Sequence, residues 1–153
     1  MSTYFAERDW LAYVRKLTGV YRRRRDIMLE ALAEHLPREA TWTRPQGGLF
    51  IWARLPEYID TTDLLARALR EHVAFVPGRA AYLDGRGGTE MRLNFSGVDD
   101  DAIREGVRRI GEVVREQIAL YGRLTGSEPV PQRAAAEPGA PDPQVLPLRR
   151  KAG

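Results

Sequence analysis

The chain has 153 residues, a formal net charge of +3 and no cysteine, which leaves room for one ordinary domain plus an appendage and excludes disulfides and cysteine-ligated metals. Its two histidines, His35 and His72, lie far apart, each near an expected helix end where the dipole favours it, so no metal site is expected. No apolar run approaches the ~20 residues that span a bilayer, and residues 1–8 lack the charged-then-apolar order of a signal peptide, so a soluble, cytoplasmic protein with no membrane partner is expected.

From Trp10 to Leu36, apolar residues recur at Trp10, Leu11, Val14, Leu17, Tyr21, Met28, Leu29, Leu32 and Leu36, the three-and-four spacing of an amphipathic helix, and Pro37 stops it. Such a helix reaches roughly 40 Å, more than a compact domain of this size requires, and is expected to bridge to something else. Within it, arginines occupy positions 22–25. Successive helical residues turn by about 100°, so the four fan around the axis and do not form one patch. A salt-bridged surface with one arginine turned inward is expected, with Asp26 and Glu30 as partners of Arg22 and Arg23.

Residues 41–44 and 49–55 read as a hairpin with a central strand, joined through Pro45, Gln46, Gly47 and Gly48. Asp60-Thr61-Thr62-Asp63 is then an N-cap signal for a helix carrying Leu64, Leu65, Ala68 and Leu69 and ending near Glu71. Residues 73–76 are expected to form a short buried strand, closed by Pro77 and Gly78. The glycine-rich stretch 81–89 lacks the spacing and setting of a phosphate-binding loop and reads as a flexible connection. Asp99, Asp100 and Asp101 are expected to cap a last helix to about Tyr121, with a stripe of Ile103, Val107, Ile110, Val113, Val114 and Ile118. Residues 123–153 hold six of the ten prolines and carry five basic groups against three acidic ones. They are expected to be a disordered tail, and their charge says little about the folded part.

Between the glycine-rich loop and the last helix lies Met91-Arg92-Leu93-Asn94-Phe95-Ser96. On a strand, Met91, Leu93 and Phe95 face one way and Arg92, Asn94 and Ser96 the other. Two readings of Arg92 are open here. One is a clamp for a carboxylate or phosphate, which the planar guanidinium fork grips by two parallel charge-assisted bonds. The other is a half-buried strand whose arginine closes a structural salt bridge.

The element order gives an α+β fold, a small mostly antiparallel sheet covered by helices with a long N-terminal interdomain helix. Three blocks, taken in order, carry a resemblance. Trp42-Thr43-Arg44-Pro45-Gln46-Gly47-Gly48-Leu49-Phe50-Ile51-Trp52, then Val73-Ala74-Phe75-Val76-Pro77-Gly78, then the hexapeptide from Met91 to Ser96 resemble the C-terminal small domain of fold type I, class I/II aminotransferases. The likeness is nearest to the 2-aminoadipate and aromatic group and to the aminotransferase-like half of MocR-type regulators. Tyr21 with Arg24-Arg25-Asp26 resembles that family's interdomain helix. The resemblance implies a lead-in over 1–9, a small domain over 10–122 with its linker helix at 10–36, and the tail beyond.

It also implies that Arg92 grips the substrate's α-carboxylate, that Gly47 and Gly48 form backbone wall beside the substrate, that Asn94 and Ser96 support the same strand face, and that Tyr82 lies in a loop near the pocket. The substrate would be an amino acid and a 2-oxo acid in turn. The family's cofactor, pyridoxal 5'-phosphate, is held on a lysine of a large domain. Only Lys16 and Lys151 are present here, and neither lies in that lysine motif. Ala81 stands where the family usually carries an aromatic residue, with Tyr82 following. A fragment, split product or degraded copy is therefore expected, with no catalytic or cofactor-binding residue of its own, inactive alone, and paired with a large domain or a homodimer partner. Two other classes remain. One is a non-catalytic interaction module or regulator-type domain using the long helix. The other is a nucleic-acid binder built on the arginine run, which ranks last because its charges do not share a face, so no nucleic-acid partner is expected.

Overall fold

The computed structural model describes residues 10–126. Helix α1 (Trp10–His35) leads through strand β1 (Thr41–Trp42) to β2 (Phe50–Arg54), helix α2 (Thr61–Arg70), strand β3 (Val76–Pro77), a 3₁₀ turn at Gly78–Ala81, strand β4 (Glu90–Asn94) and helix α3 (Asp100–Thr125). The strands form one sheet in the order β1-β2-β4-β3, every pairing antiparallel. This is the α+β architecture expected from the order of elements.

The alternation of the two central strands decides how the sheet sits. Ile51 and Ala53 of β2, with Met91 and Leu93 of β4, are buried and join Leu32, Leu64, Ile103, Val107, Ile110 and Val114 of the helices in one core. The intervening residues, Phe50, Trp52 and Arg54 with Glu90, Arg92 and Asn94, are half-buried or exposed. The sheet therefore has one face packed by helices and one left accessible, the usual state of an antiparallel sheet in a small α+β unit.

Local chemistry sets the helix starts as expected. The Asp60 carboxylate accepts from the Thr62 amide and the Asp99 carboxylate from the Ala102 amide, each 2.8 Å, filling donors that a helix leaves open at its first turn. Helix α3 runs on to Thr125 and stops at Gly126, whose φ of 69° is left-handed. Arg123, expected at the start of the tail, is thus helical, and the rest of the expected tail, 127–153, lies outside the described residues, as do residues 1–9 of the lead-in.

Three expectations are corrected. The third strand is not residues 73–76. The Val73 amide bonds back to the Ala68 carbonyl at 3.1 Å, after His72 adopts a φ of 56°, so the chain is still closing α2 there and pairs with β4 only at Val76 and Pro77. Of the intended strand only Phe75 is buried. The glycine-rich stretch is not a loose connection. Thr61, fully buried, donates its amide to the Gly88 carbonyl, and its hydroxyl lies within 3.0 Å of that oxygen and 2.7 Å of the Glu90 carbonyl, while Leu55 N–H reaches Thr89 O.

The arginine run also pairs differently. Arg23 bonds Asp100 across to α3, Arg104 of α3 reaches Glu30, Arg25 bonds Asp26, and two arginines turn inward: Arg24 donates to the Ser96 carbonyl and Arg25 to that of Pro45. Helical spacing offers partners, but packing of α1 against α3 supplies competing ones. Along α1, side chains are fully buried only from Ile27 onward. Leu11, Val14 and Val20 are exposed.

Candidate functional site

Arg92 lies near the centre of the accessible sheet face. Its direct cross-strand neighbours are Trp52 on β2 and Val76 on β3. Phe50, two residues from Trp52 and therefore on the same face, puts its ring 4.4 Å from the Arg92 guanidinium carbon. The Arg92 Nε is buried and without a hydrogen-bond partner, and among the described residues no carboxylate pairs with the guanidinium. Of the two readings of the strand, the structural salt bridge is not what the structure shows. What surrounds this cation is apolar, and its fork is left free to bind an anion.

Asn94, on the same face, is engaged elsewhere. Its side-chain oxygen accepts from the Ser96 amide at 2.7 Å and the Ser96 hydroxyl at 2.8 Å, and the Ser96 carbonyl accepts from Arg24. The two residues thus brace the exit of β4 against α1 and make no bond to Arg92. Gly47 and Gly48 lie just before β2, at the end of the sheet where Phe50 pairs with Asn94. Gly48 has φ of 82°, a backbone state that suits glycine. They line a cavity of about 170 Å³ with Thr18, Tyr21, Arg22, Arg25, Gln46 and Phe95. Arg92 is not among its lining residues, so the glycine pair and the arginine do not share this cavity.

Tyr82 is joined to the sheet face through Trp52, their ring centroids 6.1 Å apart. Its hydroxyl donates to Glu90 at 3.0 Å, Glu90 accepts from Arg54 at 2.7 Å, and Arg86 lies 4.5 Å over the Tyr82 ring. The Arg54 hydrogen bond holds the Glu90 carboxyl below its ordinary range, and the bond to Glu90 pushes the Tyr82 phenol up, because its loss of a proton would set two anions together. The face thus reads as a strip, Phe50, Arg92, Trp52 and Tyr82, ending in a charged clasp. Phe50, Trp52 and Glu90 were not singled out by sequence reasoning. Alternation with Ile51 and Ala53 puts Phe50 and Trp52 on the outer face, but their meeting with Arg92 follows from the register between β2 and β4.

Nothing on this face could hold a pyridoxal cofactor covalently. Among the described residues the only lysine is Lys16, exposed on the first half of α1. No group of three or more acidic or histidine side chains among them could hold a metal ion, and none of their helices is long and apolar enough to cross a membrane.

Comparison with known proteins gives a consistent result. Residues 6–110 match the family model described as aminotransferase class I and II. The chain is 43% identical over 106 residues to aromatic-amino-acid aminotransferase 1 of Thermococcus litoralis, covering 69% of this chain and 25% of that protein. It is 42% identical over 105 residues to 2-aminoadipate transaminase of Thermus thermophilus, covering 69% and 26%. Among solved structures, alpha-aminoadipate aminotransferase from Thermus thermophilus, complexed with N-(5'-phosphopyridoxyl)-L-leucine, superposes with a TM-score of 0.64 at 42% identity over 67% of this chain and 26% of that one. The chain spans about a quarter of the length of the relatives it matches.

Proposed function

Since the chain belongs to the class I and II aminotransferases, we propose that it is the part of a transaminase that grips the α-carboxylate of the substrate, with Arg92 as the gripping residue. The observation that carries this is the state of Arg92: a guanidinium on an accessible sheet face, bordered by Phe50, Trp52 and Val76, with no anionic partner among the described residues. A transaminase must hold an amino acid and a 2-oxo acid in turn, and the feature the two share is a carboxylate. A fixed bidentate arginine serves both half-reactions. Gly47 and Gly48 would supply backbone beside the substrate, Tyr82 a side wall, and Asn94 the brace that keeps the end of β4 in place.

Pyridoxal phosphate, the cofactor of this family, supplies the electron sink for the amino-group chemistry when bound. The described residues do not fit it, because none of them places a lysine on the Arg92 face. We therefore assign the cofactor to a large domain beyond these residues, which would dock on the first half of α1, where Leu11, Val14 and Val20 are exposed. The small domain on this reading spans residues 10–125, and the chain alone does not turn over.

Two measurements test this. Titration with 2-oxoglutarate should perturb the Arg92 side-chain NMR signals, and Arg92→Leu should abolish binding. Addition of pyridoxal phosphate followed by borohydride should trap no stoichiometric adduct, and a stoichiometric, lysine-dependent adduct with turnover would sink the assignment of the cofactor to another domain.

A further inference from the structure

We infer that Phe50 is the positioning residue for Arg92, holding the guanidinium by its flat face so that its edge stays free for the carboxylate. The inference rests on the reading of Arg92 as the carboxylate ligand. Arginine side chains are long and rich in rotamers, and a site that uses one must fix it somehow. The usual means is a carboxylate or carbonyl on the guanidinium edge. That would consume the N–H groups needed for the substrate, and Arg92 has no such partner among the described residues.

What it has is a ring. The Phe50 centroid lies 4.4 Å from the guanidinium carbon, within the range of a cation–π contact. A stacked guanidinium is held through its face, whereas a carboxylate binds in its plane, so the two do not compete. The buried, unbonded Nε agrees with this division. The inner end of the group is packed away from water, which restricts its movement, and no protein acceptor pulls the plane out of line. The contact is placed by the pairing of β2 with β4. Phe50 pairs with Asn94 and Trp52 with Arg92, so Phe50 is the diagonal neighbour of Arg92 on a rigid two-strand frame. Ordering of the arginine is then largely complete in the folded chain and is not left to the moment of binding, which raises affinity and keeps the fork in one orientation through both half-reactions.

The test compares the full chain with Phe50→Leu and Phe50→Tyr. Phe50 is 38% exposed, so neither change should unfold the protein, and an unchanged far-UV circular dichroism spectrum would establish that. In the wild type the Arg92 Nε–H signal, assigned by its loss in Arg92→Lys, should be displaced upfield by the ring and exchange slowly with water. In Phe50→Leu the displacement should vanish, exchange should quicken severalfold, and the dissociation constant for 2-oxoglutarate should rise by about five-fold, the scale of a lost cation–π contact. Phe50→Tyr should restore all three. Unchanged exchange and shift in Phe50→Leu would overturn the inference, as would a loosened Arg92 that binds 2-oxoglutarate with wild-type affinity. A separate outcome, in which Phe50→Leu frees Arg92 but 2-oxoglutarate perturbs nothing even in the wild type, would remove the carboxylate reading while supporting the stacking.

Discussion

The two halves of α1 carry the same kind of apolar spacing and meet different fates. From Ile27 to Leu32 the stripe is sealed against α3 and the sheet, with Leu32 fully buried. In the first half Leu11 and Val14 are exposed, Leu11 to 65%, and Leu17 and Tyr21 are only half-buried. A hydrophobic period announces a face that would gain by burial and is silent about what will cover it. In this chain the difference follows the proposed division of labour. The second half builds the core that carries the sheet, and the first half is the surface proposed to meet a large domain.

The contrast can be broken most directly by truncating one side chain in each half. Leu32→Ala should lower the unfolding free energy by about 2–5 kcal/mol, the range for a fully buried leucine, measured by denaturant titration of the isolated chain. Leu11→Ala should stay within about 0.5 kcal/mol of wild type. Equal losses at the two positions would mean that the first half is covered in solution.

A smaller effect is expected where the sealed half of α1 ends. A Cβ on Gly111 of α3 would lie 2.6 Å from the His35 carbonyl oxygen and 2.8 Å from the His35 Cβ. Both neighbours are held, because Arg115 also donates to that carbonyl. Gly111→Ala should therefore cost about 1–3 kcal/mol despite its better helix propensity, read from the midpoint of thermal or urea unfolding. A neutral or stabilising result would show that the α1–α3 crossing is looser than the structure has it.

The smallest effect belongs to surface charge on α3. Bonds from Arg108 and then Arg109 lower the Glu105 carboxyl from 4.5 to about 2. A carboxyl depressed in the folded state contributes stability at pH above its unfolded value, and that contribution is lost as the pH falls from about 4.5 towards about 2. Glu105→Gln should therefore be slightly less stable than wild type near neutrality, and the deficit should close as the pH falls through that window, followed by urea titrations at a series of pH values. The group is solvent-exposed, so the deficit is small and salt should shrink it further.

How much was legible in the sequence varied with how local the cause was. Asp60 and Asp99 are capping residues whose partners lie two and three positions away, so their roles follow from spacing. The two faces of β4 follow from alternation, and Met91, Leu93 and Phe95 are buried as that pattern requires. The third strand was misplaced because Val73 has β-propensity but is claimed by the carbonyl of Ala68, a contact set by how α2 ends. The ion pairs of the arginine run were misassigned because Asp100 and Glu30 become partners only when α1 and α3 pack together.

The sequence by itself determined the helices, their caps, the alternating strand and, through three motif blocks, the family, because each of these is written in neighbours along the chain. The tertiary structure alone decided which half of α1 is core, that Gly47 and Gly48 line a cavity with residues of α1 that Arg92 does not line, and that the Arg92 guanidinium lies over the Phe50 ring. Those outcomes depend on strand register and helix crossing, which bring together side chains that are tens of residues apart and carry no mark of one another in the sequence.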